Sequence, residues 1–270
     1  MEYLYHYTNI ESLALILKNH SIRFSSLDQM DDKQENMSSD LSNAGQFCYI
    51  SSWTSDSTES IPMWNMYSSL DSGARIKLRK NPFRIYSYSQ NELDKFLKQA
   101  NLSLEMKADS LSLYQPIEEL ILAPYVTPRV QMGAELYKVE YTDDHSLIYP
   151  QTITQNADRI SIAIGALGKY KNLHWKFQHE WRYRWIFLPF KVTFDSPEQR
   201  FIALMNEIIT GTATQPFKYY DNAISDDAYN EMEITLSPSI SPGNKELIIN
   251  TIQKYNPTAS VKESSLKGLL

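Results

Sequence analysis

A chain of 270 residues with 42% hydrophobic residues can bury one sizeable core, and a formal charge of -6 excludes a surface coated in basic residues to grip duplex nucleic acid. A single cysteine, Cys48, rules out an internal disulfide and fits a reducing cytoplasm. The amino terminus has no basic, leader-like region and no apolar run approaches membrane-spanning length, so a cytoplasmic protein with no membrane partner is expected.

In chain order, residues 2–7 read as a strand, and Thr8-Asn9-Ile10-Glu11 is a capping box whose threonine opens a helix with Ile10, Leu13, Ala14 and Leu17 at helical spacing. Residues 21–25 read as a second strand and the acidic stretch 28–35 as a solvated loop. Further strands are expected at 47–54 and 74–78, with a short helix at 61–68 between them. Residues 91–119 are helical in pattern and end in the Pro116, Pro124 and Pro128 cluster, which predicts a helical insertion at about 90–130 within a single domain covering 1–270. Residues 136–141 return to strand, and Ile160, Ala163, Ile164 and Leu167 outline a helix. After a helix at 201–209, a strand at 233–236, a Pro242-Gly243 turn, a helix at 245–254 and a strand at 259–263 make a C-terminal β-α-β extension at about 230–270.

The most informative stretch is Gln178-His179-Glu180-Trp181-Arg182-Tyr183-Arg184. Read as a strand, it puts Glu180, Arg182 and Arg184 on one face and Trp181, Tyr183, Trp185 and Phe187 on the other. The aromatic face belongs in a core, and the charged face is expected to point into a cleft or water.

Several chemistries find no support. The five histidines show no i, i+4 pair and no cysteine partners, so no metal site is predicted. No Walker loop, Gly-x-Gly-x-x-Gly turn or Gly-x-Ser-x-Gly elbow occurs. The flanks of Cys48 are apolar, which reads as a buried structural thiol.

The order Leu4-Tyr5-His6-Tyr7-Thr8, Ile16-Leu17, Ile22-Arg23-Phe24-Ser25, Asp31-Asp32-Lys33-Gln34-Glu35, Met63-Trp64-Asn65-Met66-Tyr67, Gly73-Ala74-Arg75-Ile76 and Trp175-Lys176-Phe177-Gln178-His179-Glu180-Trp181-Arg182 resembles the bacterial family called domain of unknown function 2971. The likeness runs to about Leu188, and the C-terminal third is only loosely similar. Gln178 stands where that family usually carries a first glutamate. The family in turn resembles ADP-ribosyltransferases of the DNA-modifying toxin type. That likeness implies an α+β fold with a split, mostly antiparallel β-sheet flanked by helices, and NAD as co-substrate without a metal. It also implies a catalytic Glu180 that polarises the ribose 2′-hydroxyl, with His6 and Thr8 on the ribose.

The chemistry fits those residue types. Cleaving the nicotinamide–ribose bond develops oxocarbenium charge, which a carboxylate on the 2′-hydroxyl stabilises. Arg182 lowers the pKa of such a carboxylate, and Arg182, Arg184 or Arg75 can grip a diphosphate bidentately. Tyr67 offers a flat ring to nicotinamide. The expected activity is transfer of ADP-ribose to a macromolecule by a toxin or anti-phage defence effector, with an antitoxin or regulatory partner. The acceptor is open: aromatics beside Lys169, Lys171, Lys176, Arg182 and Arg184 suit single-stranded nucleic acid, and a protein side chain is equally compatible. The alternative is a non-catalytic module that binds a nucleotide or a protein in the same cleft. Residue by residue there are plainer readings: His6 as a satisfied structural group, Glu180 with its arginines as a structural ion-pair cluster, and Trp64, Trp175, Phe177 and Trp181 as core.

Overall fold

A computed structural model describes residues 2–99, 110–156, 159–190 and 197–270. Its centre is a nine-stranded sheet. β1 (Tyr3–Asn9), β2 (Ser21–Ser26), β3 (Cys48–Thr54) and β4 (Gly73–Arg79) are joined there by the Glu135–Lys138, Glu180–Ile186, Tyr219–Ala223, Glu233–Leu236 and Ser260–Lys262 strands. All its pairings are antiparallel except that of Glu233–Leu236 with Ser260–Lys262. The protein is thus mixed α and β on a large, mostly antiparallel sheet.

The registers around β3 create the cleft. One edge of β3 pairs along its whole length with the Glu180 strand, from Glu180↔Thr54 to Ile186↔Cys48. The other edge is shared: β2 takes Tyr49 and Ile50, while β1 meets β3 only at Tyr5↔Thr54. β1 then leaves β3 and pairs fully with β4. The sheet is therefore split between β1 and β2, and helix α1 (Ile10–Asn19), which links them, closes over the gap. The helix starts one residue later than the capping-box reading: Asn9 is the cap, its side chain accepting from Ser12 N at 2.8 Å, while Thr8 is a buried strand residue. Asn suits that position because its short amide reaches the free amides of the first turn.

Alternation along β1, β3 and the Glu180 strand sorts the side chains onto two faces. Leu4, Trp53, Tyr183, Trp185 and Phe187 face the main core with Ile76 and Ile234. Burying those aromatic rings supplies most of the apolar driving force for the sheet to close here. The opposite face carries Ser52, half-buried, and Glu180, Arg182 and Arg184, all three buried.

Four expectations are corrected. The stretch 28–35 is not simply solvated: it forms short 3-10 turns, Leu27–Gln29 and Lys33–Asn36, that bury Asp32 and Glu35. Residues 160–167 are not a helix: Arg159–Ile162 is a strand paired with Ile153–Asn156 and Ile164–Ala166 a 3-10 turn, because Ile160, Ile162 and Ile164 also alternate as a strand requires. The insertion is not purely helical. Gln90–Gln99 is a helix, residues 100–109 lie outside the described residues, and Ser110–Leu113 is a strand paired with Tyr86–Ser89, packing Leu93, Leu111 and Leu113 into a small core of their own. At the C-terminal end Pro242 and Gly243 are not a turn but the first residues of the helix Pro242–Tyr255, capped by Ser241.

Candidate functional site

At the split in the sheet lies a cavity of about 100 Å³ lined by, among others, His6, Tyr67, Lys171, Gln178, Glu180 and Arg182. Segments near the amino terminus and two thirds along the chain thus become walls of one cavity. A second cavity of about 270 Å³, also lined by His6, Tyr7 and Tyr67, continues beneath α1 past Thr8, Asn9, Ser12 and Arg23. The first is small against the ~300 Å³ and more of a site that encloses a whole cofactor, and it suits a single ring. The two cavities adjoin across His6, Tyr7 and Tyr67, which line both.

The geometry of His6 follows from the split. Alternation would turn its ring into the core with Leu4, and the ring does lie 5.0 Å from that of Trp53. Because β1 parts from β3 after Tyr5, the Ser52 carbonyl is reached not by a backbone amide but by His6 Nδ1 at 2.8 Å. A carbonyl only accepts, so Nδ1 carries the proton and Nε2 keeps its lone pair. Burial lowers the pKa of the ring, against a smaller upward push from the Ser52 bond, so the imidazole is neutral.

Glu180 is placed by His179, whose left-handed backbone (φ 45°) ends the Leu173–Gln178 turn and starts the strand. Its amide donates to Tyr141 Oη at 2.8 Å. The carboxylate receives Arg182 Nε at 2.7 Å on Oε1, and Lys171 Nζ at 3.1 Å and Arg182 Nη2 at 3.2 Å on Oε2. Glu35, from the Lys33–Asn36 turn, completes a quartet by meeting Lys171 Nζ at 3.1 Å and Arg182 Nη1. None of the four is more than 5% exposed. Burial alone would raise the pKa of Glu180, but the Arg182 and Lys171 cations outweigh it and hold the carboxyl below the usual range. Arg182 is likewise held charged by Glu180 and Glu35 against desolvation.

Gln178 ties this quartet to the helix α2 (Ile61–Tyr67): its Oε1 accepts from Lys171 Nζ at 2.9 Å and its Nε2 donates to Tyr67 Oη. The amide can do both at once, which a carboxylate in its place cannot. Burial, and after it Glu180, Asp31 and Glu35, raise the Tyr67 pKa, so the phenol is neutral.

Of the residues singled out from the sequence, the structure brings His6, Tyr67, Glu180 and Arg182 to one cavity and Thr8 to its neighbour. Arg75 lines neither. It donates to the Ser57 carbonyl at 3.1 Å, with its guanidinium 4.6 Å from the Tyr5 ring. Arg184 is bonded to Glu135 at 2.6 Å and to the Leu167 carbonyl at 3.2 Å. Of the cationic track expected for nucleic acid, Lys171, Arg182 and Arg184 are buried and ion-paired, while Lys169 and Lys176 are exposed. Trp64 is fully buried against Tyr7, as a packing residue, whereas Trp175 lines the cavity and Phe177 is exposed. Glu35, Lys171 and Gln178 are the participants that sequence reasoning undervalued; for Glu35 the signal was the acidic motif Asp31-Asp32-Lys33-Gln34-Glu35 itself.

The sequence matches no family model, and no curated protein or solved structure matches it. The site is therefore read from its own geometry. No helix among the described residues is long and apolar enough to cross a membrane.

Proposed function

We propose that the cleft binds NAD and that the protein is an ADP-ribosyltransferase, of the toxin or phage-defence kind, acting on a macromolecular acceptor. The observation that carries this reading is the meeting of His6 and Glu180 in one cavity at a split in an antiparallel sheet. In it, the nicotinamide ring enters the smaller cavity beside Tyr67, and the rest of the dinucleotide lies along the second cavity past Thr8 and Asn9. Glu180, ionised, accepts from the ribose 2′-hydroxyl and stabilises positive charge at the anomeric carbon more than it stabilises the ground state. His6 Nε2 accepts from a second ribose hydroxyl. The carbon–nitrogen bond breaks with its electron pair leaving on nicotinamide, while the acceptor donates a pair to the anomeric carbon and loses its proton to water.

A second reading has its own support. Three donors already occupy the Glu180 carboxylate, out of about four lone-pair positions. Such saturation favours a module that holds a nucleotide without cleaving it. Release of nicotinamide from NAD, followed by chromatography, decides between them. The transferase reading expects release by the wild-type protein and at least a hundredfold less by a folded Glu180→Gln variant, on the scale of one lost transition-state interaction. Saturable NAD binding with no nicotinamide released over hours leaves the binding module; undiminished release by Glu180→Gln removes Glu180 from the chemistry.

A further inference from the structure

The charge balance of the smaller cavity says which kind of group it accepts. Four carboxylates line it, from Asp31, Asp32, Glu35 and Glu180, against the two cations Lys171 and Arg182. Both cations are already engaged, Lys171 through all three of its N–H donors and Arg182 through four of its five. Lys171 Nζ has three N–H donors and three partners, Gln178, Glu180 and Glu35. Arg182 directs Nε and Nη2 to Glu180, and Nη1 to Glu35 and to the Gly168 carbonyl at 2.7 Å. The quartet is internally neutral, and an incoming phosphate would meet cations already committed to carboxylates.

Asp31 and Asp32 remain over. Asp31 is exposed, but Asp32 is only 7% exposed, and while its Oδ1 accepts from Gln34 N at 3.0 Å, its Oδ2 is buried without a hydrogen-bond partner. No ion pair to either aspartate occurs among the described residues. A buried carboxylate oxygen without a donor is costly, and a ligand that brings a donor and a positive charge relieves that cost. Tyr5, Trp53, Tyr67 and Trp175 add ring surface to the same cavity, which suits a flat cation.

We infer that the cavity is selective for a planar organic cation bearing N–H donors, and that Asp32 is the residue that makes the selection. The identity of that cation as the pyridinium carboxamide of oxidised NAD rests on the reading given above; the selectivity for charge does not. Asp32 then sets a preference for the oxidised ring over its neutral, reduced form.

The test uses 1-methylnicotinamide, a cation, and nicotinamide, its neutral parent, titrated by NMR into the full-length protein and into Asp32→Asn, which keeps the Oδ1 acceptor for Gln34. The wild-type protein should bind the cation roughly tenfold more tightly, the scale of one hydrogen bond to a charged group, and Asp32→Asn should remove most of that preference. Equal or weaker binding of the cation, no binding of either probe, or a preference that survives Asp32→Asn overturns the inference. Cation preference without any cleavage of NAD overturns only the transferase reading, and cleavage without cation preference overturns only this inference.

Discussion

Replacing Lys171 by methionine removes one cation from the buried quartet and leaves Glu35 and Glu180 to share Arg182. Lys171 is 5% exposed and meets Gln178 at 2.9 Å and both glutamates at 3.1 Å, so methionine fills the volume but supplies none of those contacts. Breaking a buried pair by deleting one partner costs about 3–5 kcal/mol, because the surviving charge stays buried without compensation. At roughly 2–4 °C per kcal/mol for a chain of this size, the melting temperature should fall by about 6–20 °C, followed by tryptophan fluorescence during heating. The decisive measurement is the double variant Lys171→Met with Glu35→Gln, which removes one charge of each sign and leaves Glu180 and Arg182 as a balanced pair. It should lose less stability than the two single changes summed, by about 1 kcal/mol or more. Strict additivity, or a Lys171→Met protein within about 1 kcal/mol of wild type, would refute the account of these four residues as one neutral unit.

Acid should destabilise the fold well before general protonation. The folded Glu180 carboxyl lies below its ordinary 4.5, so its stabilisation is present above that value and is lost as pH falls through the folded pKa. The His6 pKa is also lowered, from 6.5, so the unfolded chain takes up that proton first and stability begins to fall below about that pH. Urea midpoints that stay flat or rise as pH falls from 6.5 to 4.5 would contradict the His6 assignment, and the absence of a further fall below pH 4.5 would contradict that of Glu180. Cys48 is fully buried and its thiol is pushed up to about 11 by burial, so iodoacetamide should leave it unmodified in the native protein and label it in denaturant; rapid labelling of the folded chain would show a different environment.

How much of this was legible in the residues varies with the kind of signal. Strands with one apolar face, such as Glu180–Ile186 and Cys48–Thr54, announce themselves by alternation and lie within a residue or two of where that pattern puts them. The Asn9 cap was missed by one position because Thr8 and Asn9 are both good caps, and only the length of β1 chooses between them. The Tyr219–Ala223 strand was not seen at all: its run, Tyr-Tyr-Asp-Asn-Ala, carries few strand formers and is held by pairing with β2 and by the bidentate Arg23–Asp221 contact. Glu180 and its partner Arg182 were found by their shared face, but Glu35 and Lys171 were not. Glu35 and Lys171 look like solvated loop charges in the sequence, and only tertiary packing buries them opposite an acid and a base. Local pattern gives the face a side chain occupies; it says nothing of what covers that face.

The edge of β3 that pairs with the Glu180 strand bears on biosynthesis. The far wall of the cleft is contributed by residues more than a hundred positions downstream of the near one, and the strand bearing Glu180 also zips the whole free side of β3. During translation at ~5–20 residues per second, the early hairpin-like unit therefore waits many seconds with β3's long side unpaired, an interval in which a chaperone or a second nascent copy meets an open template. A prematurely terminated product would carry His6 without Glu180, and so would lack one wall of the cavity.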